Sequence, residues 1–142
     1  MLRSSLQARR NQLPTLLIAD DHPSIRKALR SVFSEVCKDA VCAEAENGAQ
    51  AIQKALDLDP QVVILDLAMP EVNGLEAARV LKWSLPNTTL FLLTSYAHHE
   101  LEMLAFESGI TAVYSKTGDL TPLVTHVQQL LNSPASAAAA SA

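Results

Sequence analysis

Apolar positions along this chain fall into two alternating patterns. In the first, short runs are apolar over consecutive or alternate residues: TLLIAD (Thr15 to Asp20), AVCAEA (Ala40 to Ala45), QVVILDL (Gln61 to Leu67), TLFLLTS (Thr89 to Ser95) and TAVYSK (Thr111 to Lys116). Their length and apolar content predict strands. The third and fourth are apolar nearly throughout, as strands covered on both faces should be. Between and after these runs the apolar period lengthens to three or four residues, which predicts helices. In the first helix Ile25, Ala28, Leu29, Val32, Phe33 and Val36 share a face opposite Arg26, Lys27 and Arg30, directly after Pro23 and Ser24. In the last, Leu120, Leu123, Val124, Val127, Leu130 and Leu131 repeat the pattern, with Pro122 tolerated in the first turn. Further helices are expected near Ala49 to Leu58, Leu75 to Trp83 and His99 to Ser108, the last stopped by Gly109. Its stripe of Leu101, Leu104 and Ala105 is the weakest, and Trp83 is expected to pack at the rim.

Regular alternation of strands and helices argues for an α/β fold, a doubly wound five-stranded parallel sheet with helices on both faces. The 142 residues suit one domain with a sizeable core. Residues 1–14 read as a flexible leader, 15–132 as the domain, and 133–142, rich in Ala and Ser, as a disordered tail or linker. The leader is basic and contains Ser, a faint likeness to an organelle transit peptide; it lacks the apolar core of a secretory signal and is read as a polar extension.

Charge narrows the range of partners. With 11 basic against 15 acidic residues, net −4, the chain carries no footprint for a nucleic-acid backbone and no polybasic patch for a membrane surface. Each apolar run is also interrupted well short of the ~18 residues a membrane span needs. Cys37 and Cys42 stand in a C-x4-C arrangement without the second Cys or His pair that would complete a zinc site. They read as packing residues of a protein from a reducing compartment, the cytoplasm.

The predicted strand ends carry the chemistry. In a doubly wound sheet of order 2-1-3-4-5, ligands bind at the carboxyl ends of the strands, in the crevice between strands 1 and 3. Strand 1 runs into Asp20 and Asp21, and strand 3 into Asp66. Three carboxylates gathered there repel one another and imply a cation, and oxygen ligands of this kind suit Mg²⁺. Thr94 and Lys116 end strands 4 and 5 at the same edge. Such a cluster can accept a phosphoryl group: one carboxylate attacks, the ion and the Lys neutralise phosphoryl oxygens, and the Thr hydroxyl donates a hydrogen bond. Asp66, the lone carboxylate on a central strand, is the candidate nucleophile.

The stretches ADDHPSIRKAL, ILDLAMPEVNGLE, LLTS and SGITAVYSK, in this order and spacing, resemble the receiver domains of bacterial response regulators, particularly the NarL/FixJ type. The likeness spans about Leu16 to Leu131 and implies the flavodoxin/CheY-like fold of five βα units. It implies a two-component phosphoacceptor that takes its phosphoryl group on Asp66 from a sensor histidine kinase or a phosphotransfer protein. Asp21 and Asp66 would bind Mg²⁺ directly, Asp20 through water, and the Ala68 carbonyl would supply another ligand; Thr94 and Lys116 would hold the phosphoryl group. Phosphorylation would then repack the face formed by helix 4, strand 5 and helix 5, with homodimerisation a possible consequence. Kinase docking would involve the first helix, around Ile25 and Leu29. The module would catalyse only its own phosphorylation and dephosphorylation.

The sequence departs from the family pattern at several positions. Three residues before Lys116, where receivers usually carry a switching Tyr or Phe, stands Val113, and alternation turns Tyr114 to the opposite face. Thr117 replaces a frequent proline. Ala68 offers no side chain to position a water, while Tyr96, two past Thr94, is bulky, so slow self-hydrolysis is expected. The chain also ends where a regulator of this type would continue into a helix-turn-helix, so it is either a stand-alone receiver or part of a longer transcription regulator. A haloacid-dehalogenase-like phosphatase would share the Asp nucleophile and Mg²⁺, but it needs a second Asp where Ala68 stands. Singly, Asp20 and Asp21 could merely cap a helix, and His22, His98 and His99 fit loop and helix-entry positions better than a transition-metal site.

Overall fold

Strand alternation decides how the two faces of the sheet are covered. The computed structural model describes residues 13–132, so most of the leader and the whole Ala/Ser-rich tail lie outside the described residues. The elements run β1 (Thr15–Ala19), α1 (Pro23–Val36), β2 (Val41–Ala45), α2 (Gly48–Leu58), β3 (Val62–Asp66), α3 (Gly74–Ser84), β4 (Thr89–Thr94), α4 (His99–Glu107), β5 (Ala112–Ser115) and α5 (Thr121–Leu131). All neighbouring strands are parallel, in the order β2-β1-β3-β4-β5. Leu16, Ile18, Val62, Ile64, Phe91 and Leu93 face one side, where Leu29 and Phe33 of α1 and Leu123 and Val127 of α5 close over them. Leu17, Ala19, Val63, Leu65, Leu90 and Leu92 face the other, under α2, α3 and α4. On that side the helices present Ala51, Ala55, Ala77 and Ala78, small residues that let their backbones lie close to the sheet. Each fully buried Leu or Phe contributes roughly 1.5–3 kcal/mol, so the core supplies the main driving force.

Helix starts follow from local chemistry. Asn47 accepts from the Gln50 N–H at 2.8 Å to open α2, and Asn73 forms a capping box with Glu76 to open α3. Pro23 and Pro122 occupy first-turn positions of α1 and α5, where no N–H is needed. At Gly74 an added Cβ would run into the carbonyl oxygen of Asp66. The glycine therefore lets the start of α3 lie against the backbone of the candidate nucleophile. Among the described residues no helix is long and apolar enough to cross a membrane.

The structure moves several boundaries and leaves exposed four side chains expected to pack, Trp83, Ala28, Val32 and Leu104. The strands stop at Ala19, Asp66, Thr94 and Ser115, one residue short of the runs read from sequence. Asp20 and Lys116 nevertheless extend the ladder, the Asp20 N–H donating to the Ala45 carbonyl at 3.1 Å and the Lys116 N–H to the Thr94 carbonyl at 2.9 Å. Trp83 is 90% exposed and does not pack at the rim. It lies two positions past Leu81, about 200° round the helix from the buried stripe of Ala77, Ala78 and Leu81. On α1 the buried stripe is Ile25, Leu29, Phe33 and Val36, and Ala28 and Val32 lie exposed on its flank. Leu29, only 2% exposed, is a core residue and offers nothing to a docking partner.

Leu81→Ala should cost 2–5 kcal/mol, about the range for emptying a fully packed leucine site, whereas Trp83→Ala should change stability by less than about 0.5 kcal/mol. Urea denaturation of both variants checks this; a large loss at Trp83 would place its ring in a packed site.

Candidate functional site

Sheet register sets the geometry of the site. Ala19 lies opposite Leu65 and Asp66 opposite Leu93, so Asp20 and Asp66 leave adjacent strands at the same level, where the strand order reverses. Thr94 pairs with Ser115, which puts Lys116 one step further along β5. From there its side chain reaches back across the strand ends. Lys116 Nζ stands 2.7 Å from Asp20 Oδ2 and 3.0 Å from Asp66 Oδ1, bridging the two carboxylates. Both are almost fully buried, as is Thr94.

The first loop is held from two sides. The His22 N–H donates to Asp20 Oδ1 at 2.9 Å, and His22 Nδ1 lies 3.0 Å from Oδ1 of both Asp20 and Asp21. Arg26 Nη1 donates to the Asp20 carbonyl at 2.6 Å while its Nε pairs with Glu44 at 3.3 Å, so α1 clamps the end of β1 to β2. Asp20 and Asp21 do not cap α1: its N-cap is His22, without a side-chain cap bond. On the far side of Asp66 the loop turns tightly, the Val72 N–H donating to the Pro70 carbonyl at 2.7 Å around Glu71 at φ 66°.

Electrostatics separates the two buried acids. Burial drives the Asp66 carboxyl up to about 6; the Lys116 hydrogen bond opposes this, and the Asp20 charge and the Asp21 carboxyl add to it. Burial also works against ionised Asp20, but the hydrogen bonds from Lys116 and His22 outweigh it and hold Asp20 below the ordinary carboxylate range. For Lys116 burial disfavours the ammonium, yet the two carboxylates win and raise it. Asp66 Oδ2 is buried with no hydrogen-bond partner. Such an oxygen is costly unless something pairs with it.

Asp20, Asp21, His22 and Asp66 each offer one donor atom, and these lie within 4.8 Å of one another. The donor set and the orphaned Asp66 oxygen fit a divalent cation. Of the residues read from sequence, the structure brings Asp20, Asp21, Asp66 and Lys116 together. The hydroxyl of Thr94, at the adjacent strand end, accepts from the Tyr96 N–H at 3.2 Å. The exposed Ala68 turns its N–H toward Asp66 Oδ1 at a long 3.4 Å. Sequence reasoning set His22 aside as a loop residue and placed Arg26 only on the polar face of the first helix, whereas the structure brings both to the site. The available signals were the position of His22 directly after two acids and that of Arg26 one turn into the helix. His98 is confirmed as a helix-entry residue, its Nδ1 accepting the Leu101 N–H at 3.2 Å.

In EDTA, Asp66→Asn should be more stable than the wild type above pH 6, by about 3 kcal/mol. Between about pH 4 and 6 the folded wild type holds a proton on Asp66 that the unfolded chain has released, so its stability falls as pH rises through that window. The variant lacks this dependence. The gap should therefore close toward pH 4, as urea denaturation across the range would show; a gap independent of pH would contradict the raised carboxyl.

Comparison with known proteins agrees with this geometry. Residues 16–128 match the family model described as the response regulator receiver domain. The response regulator protein VraR of Staphylococcus saprophyticus is 31% identical over 117 residues, which cover 82% of this chain and 56% of that protein. The nitrate/nitrite response regulator protein NarL of Escherichia coli is 36% identical over 100 residues, 70% of this chain and 46% of that protein. The chain thus spans about half the length of these relatives. Among solved structures, response regulator protein TrrA of Thermotoga maritima in complex with Mg(2+)-BeF is 28% identical with a TM-score of 0.74, covering 84% of this chain and all of that one. With the sheet order, the acidic pocket at the switch point and the family match in agreement, the chain belongs to the response regulator receiver domains of two-component signalling.

Proposed function

We propose that Asp66 takes a phosphoryl group from a phosphohistidine on a sensor histidine kinase or phosphotransfer protein, with Mg²⁺ bound directly by Asp21, Asp66 and the Ala68 carbonyl and by Asp20 through water. The observation that carries this reading is the buried Asp66 carboxylate, paired on Oδ1 with Lys116 and unpaired on Oδ2. With its pKa at about 6 the group is about nine-tenths ionised at pH 7, so it is competent as a nucleophile at neutral pH. A carboxylate oxygen attacks phosphorus, the P–O bond forms as the P–N bond breaks, and the donor imidazole leaves with the electron pair. The bound ion would neutralise charge on the phosphoryl oxygens, and the Mg(2+)-BeF complex of TrrA supports Mg²⁺ as that ion. The Lys116 ammonium would hold a phosphoryl oxygen, and Thr94, whose oxygen accepts from the Tyr96 N–H, would donate its O–H to another. The module turns over no external substrate and acts in the cytoplasm. The half-length coverage of VraR and NarL supports its being the receiver part of a longer regulator.

The output face, α4, β5 and α5, would switch without an aromatic flip. Val113 packs with the α2, α3 and α4 side of the core, whereas Tyr114 lies on the other side, its hydroxyl 2.7 Å from His126 Nδ1. The phosphoryl group would also be long-lived. Tyr96 is 79% exposed and gives no shield, so the slow turnover rests on Ala68, which carries no polar group to orient a water.

Intact mass after incubation with acetyl phosphate and Mg²⁺ tests the reading. The wild type should gain one phosphoryl group, Lys116→Ala should gain it more slowly, and Asp66→Asn should gain none; equal labelling of Asp66→Asn would overturn the assignment. After removal of the donor, the wild-type adduct should persist for minutes or longer and Ala68→Asn should shorten its life several-fold. A wild-type lifetime of seconds would refute the role given to Ala68.

A further inference from the structure

The proposed ion site draws its protein ligands from oxygen atoms, yet the pocket also holds a nitrogen. His22 Nδ1 lies 3.0 Å from Asp20 Oδ1 and 3.0 Å from Asp21 Oδ1, and it belongs to the same donor cluster as Asp66, all within 4.8 Å. For bonds of about 2.1 Å, neighbouring donors on an octahedron stand about 3.0 Å apart and opposite ones about 4.2 Å. The two 3.0 Å spacings from His22 Nδ1 fit that frame, and ligation would exchange the nitrogen's present contacts with the two carboxylates for one to the ion. A second observation points the same way: Asp66, whose side chain is 5% exposed, keeps Oδ2 without a hydrogen-bond partner in this cluster. His22 itself is 58% exposed, with its ring held against the two carboxylates and its backbone fixed by the bond to Asp20.

We infer that His22 is a ligand in this pocket, which makes it a mixed oxygen and nitrogen site that favours first-row transition ions such as Mn²⁺ over Mg²⁺. Imidazole nitrogen suits ions of that class, whereas Mg²⁺ is a hard ion that takes oxygen and gives up water reluctantly. The half-exposed imidazole would then weigh on which ion the pocket takes. This rests on the divalent-cation reading above and adds to it the identity of the ion that the pocket prefers.

Pulsed EPR of the full chain loaded with Mn²⁺ tests the ligand directly. Wild type should show coupling to an imidazole ¹⁴N, and His22→Ala should lose it. Loss of a second-shell partner already costs about tenfold in metal affinity, so removing a ligand should lower the Mn²⁺ to Mg²⁺ affinity ratio at least about tenfold, read by calorimetry with each ion. His22 makes no side-chain cap bond and lies outside the core, so circular dichroism should show an unchanged fold. Mn²⁺ bound without nitrogen coupling, and released by Asp66→Asn, would overturn the role of His22 while leaving the pocket as an ion site. Binding of neither ion by the wild type, or binding untouched by Asp66→Asn, would overturn the ion site itself and this inference with it.

Discussion

Two carboxylates buried at one strand end repel each other unless a cation stands between them, and here Lys116 is that cation. Its ammonium contacts both Asp20 and Asp66, so the ends of β1, β3 and β5 are tied through one side chain. Desolvation of such groups costs several kcal/mol per ion and is offset only when geometry and hydrogen bonds are good. One ammonium cannot neutralise both acids and Asp21 besides. The deficit shows in the split between the two buried groups, Asp20 held low and Asp66 pushed up. That split is what leaves one carboxyl poised near neutrality, and it follows from placing three acids and one lysine where the strand order turns.

The fold was legible because the sheet is buried on both faces. Continuous apolar runs such as Val62 to Leu65 can hardly be anything but central strands, and the helical stripes that cover them have little freedom to face elsewhere. The errors came where a stripe has an edge. Val32 lies three positions from Leu29 and four from Ala28, so periodicity alone places all three on one face, yet the packing against β1 selects Leu29 and Phe33 and leaves Ala28 and Val32 outside. Trp83 was misplaced for a different reason: size and apolarity suggested burial, while its angular position on α3 forbids it.

The site was legible as a set of residue types at strand ends, since a parallel sheet brings those ends to one edge. What the sequence does not contain is how the groups pair. Nothing in the spacing says that Lys116 reaches past β4 and β3 to Asp20, or that Arg26 spends its guanidinium on the Asp20 carbonyl and Glu44. Those contacts depend on side-chain length and on small offsets in register, which a pattern of apolar positions does not encode. The unpaired Asp66 Oδ2 is equally invisible from sequence, because an absence of partners exists only in three dimensions.

Val113 in place of an aromatic residue restricts how a change at Asp66 can reach the far side of the molecule. The ring available on β5, Tyr114, is bonded to His126 and packed edge-on against Phe91 at 5.7 Å, on the face away from α4. It belongs to the layer under α5 and does not touch the space beside Thr94. The connection that does exist is backbone: the Lys116 N–H donates to the Thr94 carbonyl, so the two strand ends bearing the hydroxyl and the ammonium move as one piece. Any force on either group is shared between β4 and β5 before it meets a helix. On the proposed function, transmission would run through the strand ends themselves, with Tyr114 and His126 as a support on the α5 side.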